Sequence, residues 1–213
     1  LSCEWGTHAS NPGAPLAYRF AHLAGNKLAF IVDPVVVDEM MPEAHLSGLP
    51  DLPRRSIFHA LNQKAVAYRA AAARGGSSAD YNFIVVHMGG GVSVGAHRRG
   101  RVIDVNDALG GTGPMSPERA GSLSAASLTD LCFSGKHTHR EINKMLVGAG
   151  GFVAHLGTNN FLSVEQQVNA QNEEACLVFD AFVLQVGKEI GGAAVALQGE
   201  IDAILLTGGL AYS

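Results

Sequence analysis

Apolar and polar positions along the chain fall into short blocks punctuated by glycine and proline. Residues 11–13 read as a turn, and residues 14–24 follow as a short helix. Residues 28–32 (LAFIV) are an unbroken apolar run of strand length, so a buried strand is expected there. It stops at Asp33-Pro34, because the proline ring holds the preceding residue extended. Residues 41–55 contain Pro42, Pro50 and Pro53 and read as a connector. Ser56 is placed to cap a helix over 57–74, which Gly75-Gly76 ends. The most informative stretch comes next. NFIVVH (82–87), VSVGAH (92–97) and RVIDV (101–105) read as three strands. A glycine loop joins the first two and the tight turn Arg98-Arg99-Gly100 joins the last two, which makes a meander. A long loop covers 106–117. Helices are expected over 127–133, 140–147, 163–169 and 173–197, and IDAILL (201–206) is a last buried strand ending in Thr207-Gly208-Gly209. The expected class is mixed α/β: an antiparallel hairpin group, then helices and a further strand.

Composition narrows the function classes. The 213 residues are 47% hydrophobic and 16% charged, which supplies a core and argues against disorder. A net charge of −4 disfavours a nucleic-acid partner, since phosphate neutralisation needs a basic face. No apolar run reaches the roughly 18 residues that span a bilayer, so no membrane role is expected. Cys3, Cys132 and Cys176 are an odd, scattered set. They suggest neither a disulfide framework nor a metal knuckle, and they suit a reducing, cytoplasmic compartment. The opening at Leu1, without Met, reads as mid-protein.

Glycine supplies the candidate chemistry. It accounts for 26 of 213 residues, above its usual ~7%, and gathers in loops at 89–91, 110–113 and 208–209. Such loops let backbone N–H groups approach an anion closely. Gly135-Lys136 does not complete a P-loop, because position 130 is Asp, and Gly148, Gly150 and Gly151 do not complete GxGxxG, because position 153 is Val. The 89–91 loop joins strand to strand. It is either a hairpin tip that contacts nucleotide phosphates or a glycine turn without a ligand. Asp33, His87 and Thr207-Gly208-Gly209 each end an apolar run, where α/β sheets bind ligands. A histidine there also serves structure alone, and Asp-Pro is a common turn former. His137, His139 and His155 lack the spacing of a metal site.

Longer segments then carry a resemblance: VDPVVVDEM (32–40), SIFHALNQKAVA (56–67), HMGGGVSVGAH (87–97), GRVIDVNDALGGTGPMSPERAG (100–121), LCFSGK (131–136), GTNN (157–160) and DAILLTGGLAYS (202–213). The chain resembles the butyrate kinases, in the acetate and butyrate kinase group of the sugar kinase, Hsp70 and actin superfamily. The resemblance implies an RNase H-like, actin-like ATPase fold with a mixed sheet flanked by helices. It implies transfer of a phosphoryl group from ATP, with Mg²⁺, to butyrate or a related short-chain or branched fatty acid. It also implies a homo-oligomer. Residue by residue, Asp33 resembles the acid that helps hold Mg²⁺, His59 the histidine near the γ-phosphoryl, and Arg119 the arginine that stabilises the phosphoryl in flight. His87 with Gly89, Gly90 and Gly91 resembles the phosphate hairpin. Thr207, Gly208, Gly209 and Leu210 resemble the segment under the adenosine. The chemistry agrees. Phosphoryl transfer is chiefly positioning and charge stabilisation, an arginine fork matches the equatorial oxygens, and Mg²⁺ takes one or two carboxylates besides phosphate oxygens and waters. A carboxylate is already a nucleophile at neutral pH and needs no strong base.

The family also has an upstream glycine-rich hairpin carrying an asparagine, and further elements after TGGLAYS. The chain is therefore expected to be an internal fragment, weakly active alone. Residues 1–38 would be a remnant of the first lobe and the crossing between lobes, and 39–213 an incomplete second, nucleotide-binding lobe. Pro12 stands where relatives have leucine, which removes a backbone donor from that turn. Three other readings compete. A non-catalytic ATP-binding module would not need His59, His87 and Arg119 together. A sugar or polyol kinase would need a general-base carboxylate. An interaction protein built on the long apolar helix is countered by Gly191-Gly192, which suggests close packing.

Overall fold

The computed structural model describes residues 12–212. Cys3 and Asn11, singled out above, lie outside the described residues. The helices are α1 Gly13–Leu23, α2 Pro42–His45, α3 Ala60–Ala73, α4 Ala125–Phe133, α5 His139–Leu146, α6 Phe152–Leu156, α7 Phe161–Asn169 and α8 Glu173–Ala196. The strands are β1 Asn82–Met88, β2 Val92–Arg98, β3 Arg101–Val105 and β4 Ala203–Thr207. They form one mixed sheet in the order β3-β2-β1-β4. β1, β2 and β3 are an antiparallel meander, and β4 returns through the helical segment to lie parallel to β1. This is the mixed α/β class expected from the sequence.

Period-two alternation on β1 and β2 divides the sheet between two helical layers. Ile84 and Val86 of β1 join Val92, Val94 and Ala96 of β2 on one face. They pack against Val178, Phe182 and Val186 of α8, Phe152 of α6 and Val164 of α7. Phe83 and Val85 point the other way, onto Ala67 and Ala71 of α3. The small side chains of α3 let it sit close to the sheet. Two helices start on side-chain caps that the sequence supplies. Asn172 accepts from the Ala175 amide ahead of Glu173 and Glu174 in α8, and Thr138 and Glu141 form a reciprocal capping box on α5.

The face toward α3 also buries polar groups. Gln63, Ser93 and His97 are each at most 1% exposed and hydrogen-bond to one another: Gln63 Nε2 to Ser93 Oγ at 2.8 Å, and Gln63 Oε1 to His97 Nε2 at 3.0 Å. Burial without a charged partner in contact pushes His97 down to about 4, with the Lys64 ammonium adding to the effect and Glu39 opposing it.

Three sequence expectations are corrected. Residues 28–32 form no strand: Leu28 is 84% exposed and Phe30 75%. An apolar run becomes a strand only where a neighbour completes its ladder, and among the described residues no strand lies beside it. Ser56 does not cap α3. Its buried hydroxyl donates to the Val37 carbonyl at 2.7 Å, and the helix starts at Ala60 with His59 in the cap position. α6, for which no element was expected, occupies Phe152–Leu156, because Phe152 is drawn fully into the α8 core. Among the described residues no helix is long and apolar enough to cross a membrane.

Two stability tests follow from this packing. Unfolded His97 takes up a proton near pH 6.5, while the folded residue does so only near 4. Folding is therefore weakened as pH falls through that window, on the order of 3 kcal/mol once it is crossed, and His87, also held low by burial, acts with the same sign. Urea midpoints measured from pH 7 to 4 should fall less steeply for His97→Asn, and equal slopes would refute the assignment. Gly208 has φ of +90° and a Cβ there would sit 2.7 Å from the Met88 carbonyl carbon. Gly208→Ala should cost about 2 kcal/mol or more in urea unfolding, and an unchanged midpoint would show that this approach is not tight.

Candidate functional site

The β1–β2 hairpin tip is the centre of the candidate site. Its turn is closed by the Gly89 amide donating to the Gly91 carbonyl at 3.0 Å. Among the described residues the amides of Gly90 and Gly91 have no acceptor within the protein. Two such donors in a short glycine turn are the concavity that suits an anion.

One flank of the tip carries two histidines. His87, the next-to-last residue of β1, lies on the α3 side of the sheet, two residues beyond Val85. His59 is the residue before α3. Their rings stack at 3.8 Å with planes 11° apart. His59 Nδ1 lies 2.8 Å from Ser93 Oγ, and His87 Nδ1 lies 2.8 Å from Asn62 Oδ1. Burial lowers the His87 pKa from its ordinary value, so its ring is neutral at neutral pH. The two imidazoles thus stack without the repulsion that two cations would bring.

The other flank carries the cation. A Cβ at Gly91 would lie 2.7 Å from the Arg119 guanidinium carbon, so the guanidinium occupies the space a side chain would need. Arg119 Nη1 donates to the Ala108 carbonyl. Burial draws the Arg119 pKa below its ordinary value, and the negative charges of Glu118 and Asp107 oppose that. The loop that delivers Arg119 is tied down at several points. Asn106 continues the sheet by side chain, accepting from the Val94 amide at 2.8 Å and donating to the Val92 and Thr112 carbonyls. Asp107 holds Arg55 at 2.8 Å, and Ser116 Oγ donates to the Gly90 carbonyl at 2.7 Å. The arginine loop and the hairpin tip are therefore tied to one another.

Thr207 ends β4 directly beside His87 in the parallel register, and Gly208 passes against Met88. Leu210 packs on the α8 core, and Gly209 has open space where a side chain would be. The structure thus gathers Thr207 and Gly208 beside the end of β1, with His59, His87, Gly89, Gly90, Gly91 and Arg119 around the tip. It does not bring Asp33 to the tip. Asp33 lies in the left-handed region, at φ of 42°, and its carboxylate sits 3.6 Å from the Lys64 ammonium. It lines a cavity with Lys64, His97 and Gly100, the last of these in the β2–β3 turn at the opposite end of β2. Among the described residues no group of three His, Cys, Asp or Glu side chains is arranged to hold a metal ion. Magnesium carried by phosphate oxygens and waters needs only one or two protein carboxylates, so it does not depend on such a group.

Sequence reasoning missed Glu118 as a neighbour of the tip. Its Oε2 is 3.5 Å from the place of a Gly90 Cβ, and its Oε1 accepts from Asn159 at 2.6 Å. Only its adjacence to Arg119 hinted at this. It also missed Ser93 and Gln63. The period-two pattern signalled them, since Ser93 lies on the same face as His97 and His87 lies on the partner strand opposite Ser93.

Three solved structures share the fold. A Porphyromonas gingivalis acetate kinase superposes with a TM-score of 0.73 at 24% identity, over 81% of this chain and 45% of its own. A propionate kinase from Francisella tularensis subsp. tularensis SCHU S4 gives 0.73 at 23%, over 81% and 46%. The Entamoeba histolytica acetate kinase gives 0.70 at 17%, over 81% and 46%. The chain thus spans less than half the length of each. These likenesses establish the actin-like ATPase fold. The sequence match is more specific: residues 36–212, most of the chain, match the Acetokinase family, and the chain belongs to that family.

Proposed function

We propose that this chain is the nucleotide-binding part of a carboxylate kinase that transfers the γ-phosphoryl of ATP to butyrate or a related short-chain or branched fatty acid, giving an acyl phosphate and ADP. Residues 39–213 would be the second lobe of that enzyme and 1–38 the crossing from the first. The observation that carries the reading is the seat of Arg119. Its guanidinium lies against Gly91, next to two amides that find no acceptor among the described residues, with the stacked His59 and His87 on the opposite flank.

In this reading the tip amides hold the phosphate chain, and Arg119 meets the equatorial oxygens as charge spreads over them. His59 and His87 border the same phosphates. Thr207, Gly208, Gly209 and Leu210 form the floor under the adenosine, where the open side of Gly209 leaves room. A carboxylate oxygen attacks the γ-phosphorus, a P–O bond forms, and the bond to the bridging oxygen breaks with its electron pair going to ADP. No proton is transferred, so no general base is required. Magnesium would enter with the nucleotide and offset phosphate charge. Asp33 is left out of the clamp, because its carboxylate is turned to Lys64.

The family match and the two neighbours described as acetate and propionate kinases support a short-chain carboxylate as acceptor. The long segments quoted above favour butyrate within that class. One methylene is worth only about 1–3 kcal/mol in an apolar pocket, so acids of neighbouring length should be accepted with graded efficiency.

Hydroxylamine trapping of acyl phosphate tests the reaction in the protein encoded by the whole reading frame. ATP, Mg²⁺ and butyrate should give hydroxamate faster than acetate does, and sugars should give no ADP release above background. Nucleotide binding without hydroxamate from any acid would sink the proposal. Arg119→Ala should lower kcat by about 10³-fold, with a much smaller change in ATP affinity. An unchanged kcat would remove Arg119 from the site.

A further inference from the structure

One peptide group in the glycine tip has its direction set from outside the turn. Gly91 is buried, and its amide finds no acceptor among the described residues. A buried backbone N–H without a partner is costly and rare, so a fold that keeps one needs a reason. The same peptide group carries the Gly90 carbonyl, which lies 2.7 Å from Ser116 Oγ. A carbonyl oxygen can only accept, so the serine hydroxyl is the donor. The peptide is trans, and its N–H therefore points the opposite way from its C=O. Holding the carbonyl on Ser116 turns the Gly91 N–H away from Ser116 Oγ, which could otherwise have accepted it.

Glycine on both sides leaves this peptide free to rotate as a unit. The bond that closes the turn does not decide its direction, because it joins the Gly89 amide to the Gly91 carbonyl and uses neither of its groups. The hydroxyl decides it. Ser116 is 1% exposed, and the Gly90 carbonyl is the partner of its hydroxyl among the described residues. With the peptide reversed, the serine proton would be buried without an acceptor. Ser116 is itself anchored at both backbone ends. Its amide donates to the Arg119 carbonyl at 3.0 Å, and its carbonyl accepts from the amide of Phe152, the fully buried first residue of α6, at 3.3 Å.

We propose that Ser116 is a positioning residue that latches the Gly90–Gly91 peptide so that its N–H is presented to a phosphate oxygen of the nucleotide, beside the Arg119 guanidinium. The guanidinium already lies against Gly91. Ser116 thus holds two donors of different kinds in one place, the arginine loop by its backbone and the tip amide by its hydroxyl. This accounts for a buried amide that the protein leaves without an acceptor. That the acceptor is a nucleotide phosphate rests on the kinase reading; the direction of the peptide does not.

The test uses the protein encoded by the whole reading frame, with its glycines carrying ¹³C at the carbonyl and ¹⁵N at the amide. An amide-to-carbonyl correlation spectrum then shows Gly-Gly bonds alone, and one peak reports both ends of this peptide. The Gly90–Gly91 peak is the one lost in Gly90→Ala but kept in Gly89→Ala. In the wild-type protein, saturating ATP and Mg²⁺ without an organic acid should move the Gly91 proton downfield and leave the Gly90 carbon in place. A Gly91 proton that stays put when ATP is bound would overturn the proposal, whatever the variant does. Ser116→Ala removes the hydroxyl but keeps the backbone bond to Arg119. It should move the Gly90 carbon upfield, weaken ATP binding about tenfold, and leave adenosine binding unchanged in calorimetry. Equal losses for ATP and adenosine, or no loss for either, would overturn the latch. Absence of acyl phosphate from the whole protein, with the Gly91 response to ATP intact, would defeat the kinase reading and leave the latch standing; acyl phosphate from Ser116→Ala at the wild-type rate and ATP affinity would do the reverse.

Discussion

The register of β1 against its neighbours is the constraint on which the rest depends. Ile84 and Val86 go to the α8 layer and Phe83 and Val85 to the α3 layer, all within 1% exposure. This alternation continues by one step to place His87 on the α3 side, opposite Ser93 of β2 and beside Thr207 of β4. A slip of one residue would send His87 into the α8 core and pull two apolar side chains out of it. Four well-buried side chains thus fix one catalytic candidate to a definite face, and the glycine tip follows immediately after.

The same register makes the α3 layer two-natured. Toward the start of β1 it is apolar, with Ala67 and Ala71 over Phe83 and Val85. Toward the hairpin it is polar, with Gln63, Ser93 and His97 beneath the helix. Polar groups in a core are tolerable only when each finds a partner, and here every buried side-chain polar atom among the described residues has one. α3 is therefore held over the sheet by direction as well as by contact. Its cap residue His59 and, in its first turn, Asn62 cannot slide along the strands without breaking that set.

Much of this was legible in the sequence. β3 matches the expected bounds, β1 and β2 extend one residue past theirs, and α8 stops one residue short of its expected end, since long periodic runs bounded by glycine leave few alternatives. The run at 28–32 misled because hydrophobicity signals burial in some partner, not in which one, and local pattern carries no information about whether a ladder is available. Ser56 misled for a related reason: a hydroxyl near a helix start caps it only if no competing carbonyl lies closer, and Val37 does. Among site residues, the tip and Arg119 could be picked out by motif, but their meeting depends on Asn106, Ser116 and Asp107 folding the long loop back through contacts to Val94, Gly90 and Arg55 that lie 12, 26 and 52 positions away in the chain. Asp33 sits in the VDPVVVDEM segment, and its place beside Lys64 is set by side-chain pairing that spacing does not encode.

The charges at the tip bear on how such a site would work. Arg119 contributes one positive charge, Glu118 one negative charge close by, and Asp107 is matched by Arg55. With Glu118 beside Arg119, Asp107 matched by Arg55 and the His87 ring neutral, these groups carry no large surplus of positive charge. Long-range attraction alone is thus a weak account of anion recognition here. What remains is direction: the Gly90 and Gly91 amides, which find no acceptor among the described residues, and a guanidinium braced on the Ala108 carbonyl. Donors held in place need not reorganise when charge shifts among the oxygens of a phosphoryl group, and that saving grows as water is excluded. A transferring phosphoryl redistributes charge more than it gains any, so a braced, nearly neutral cradle suits it better than a flexible cluster of cations that would bind reactant and product phosphates equally tightly.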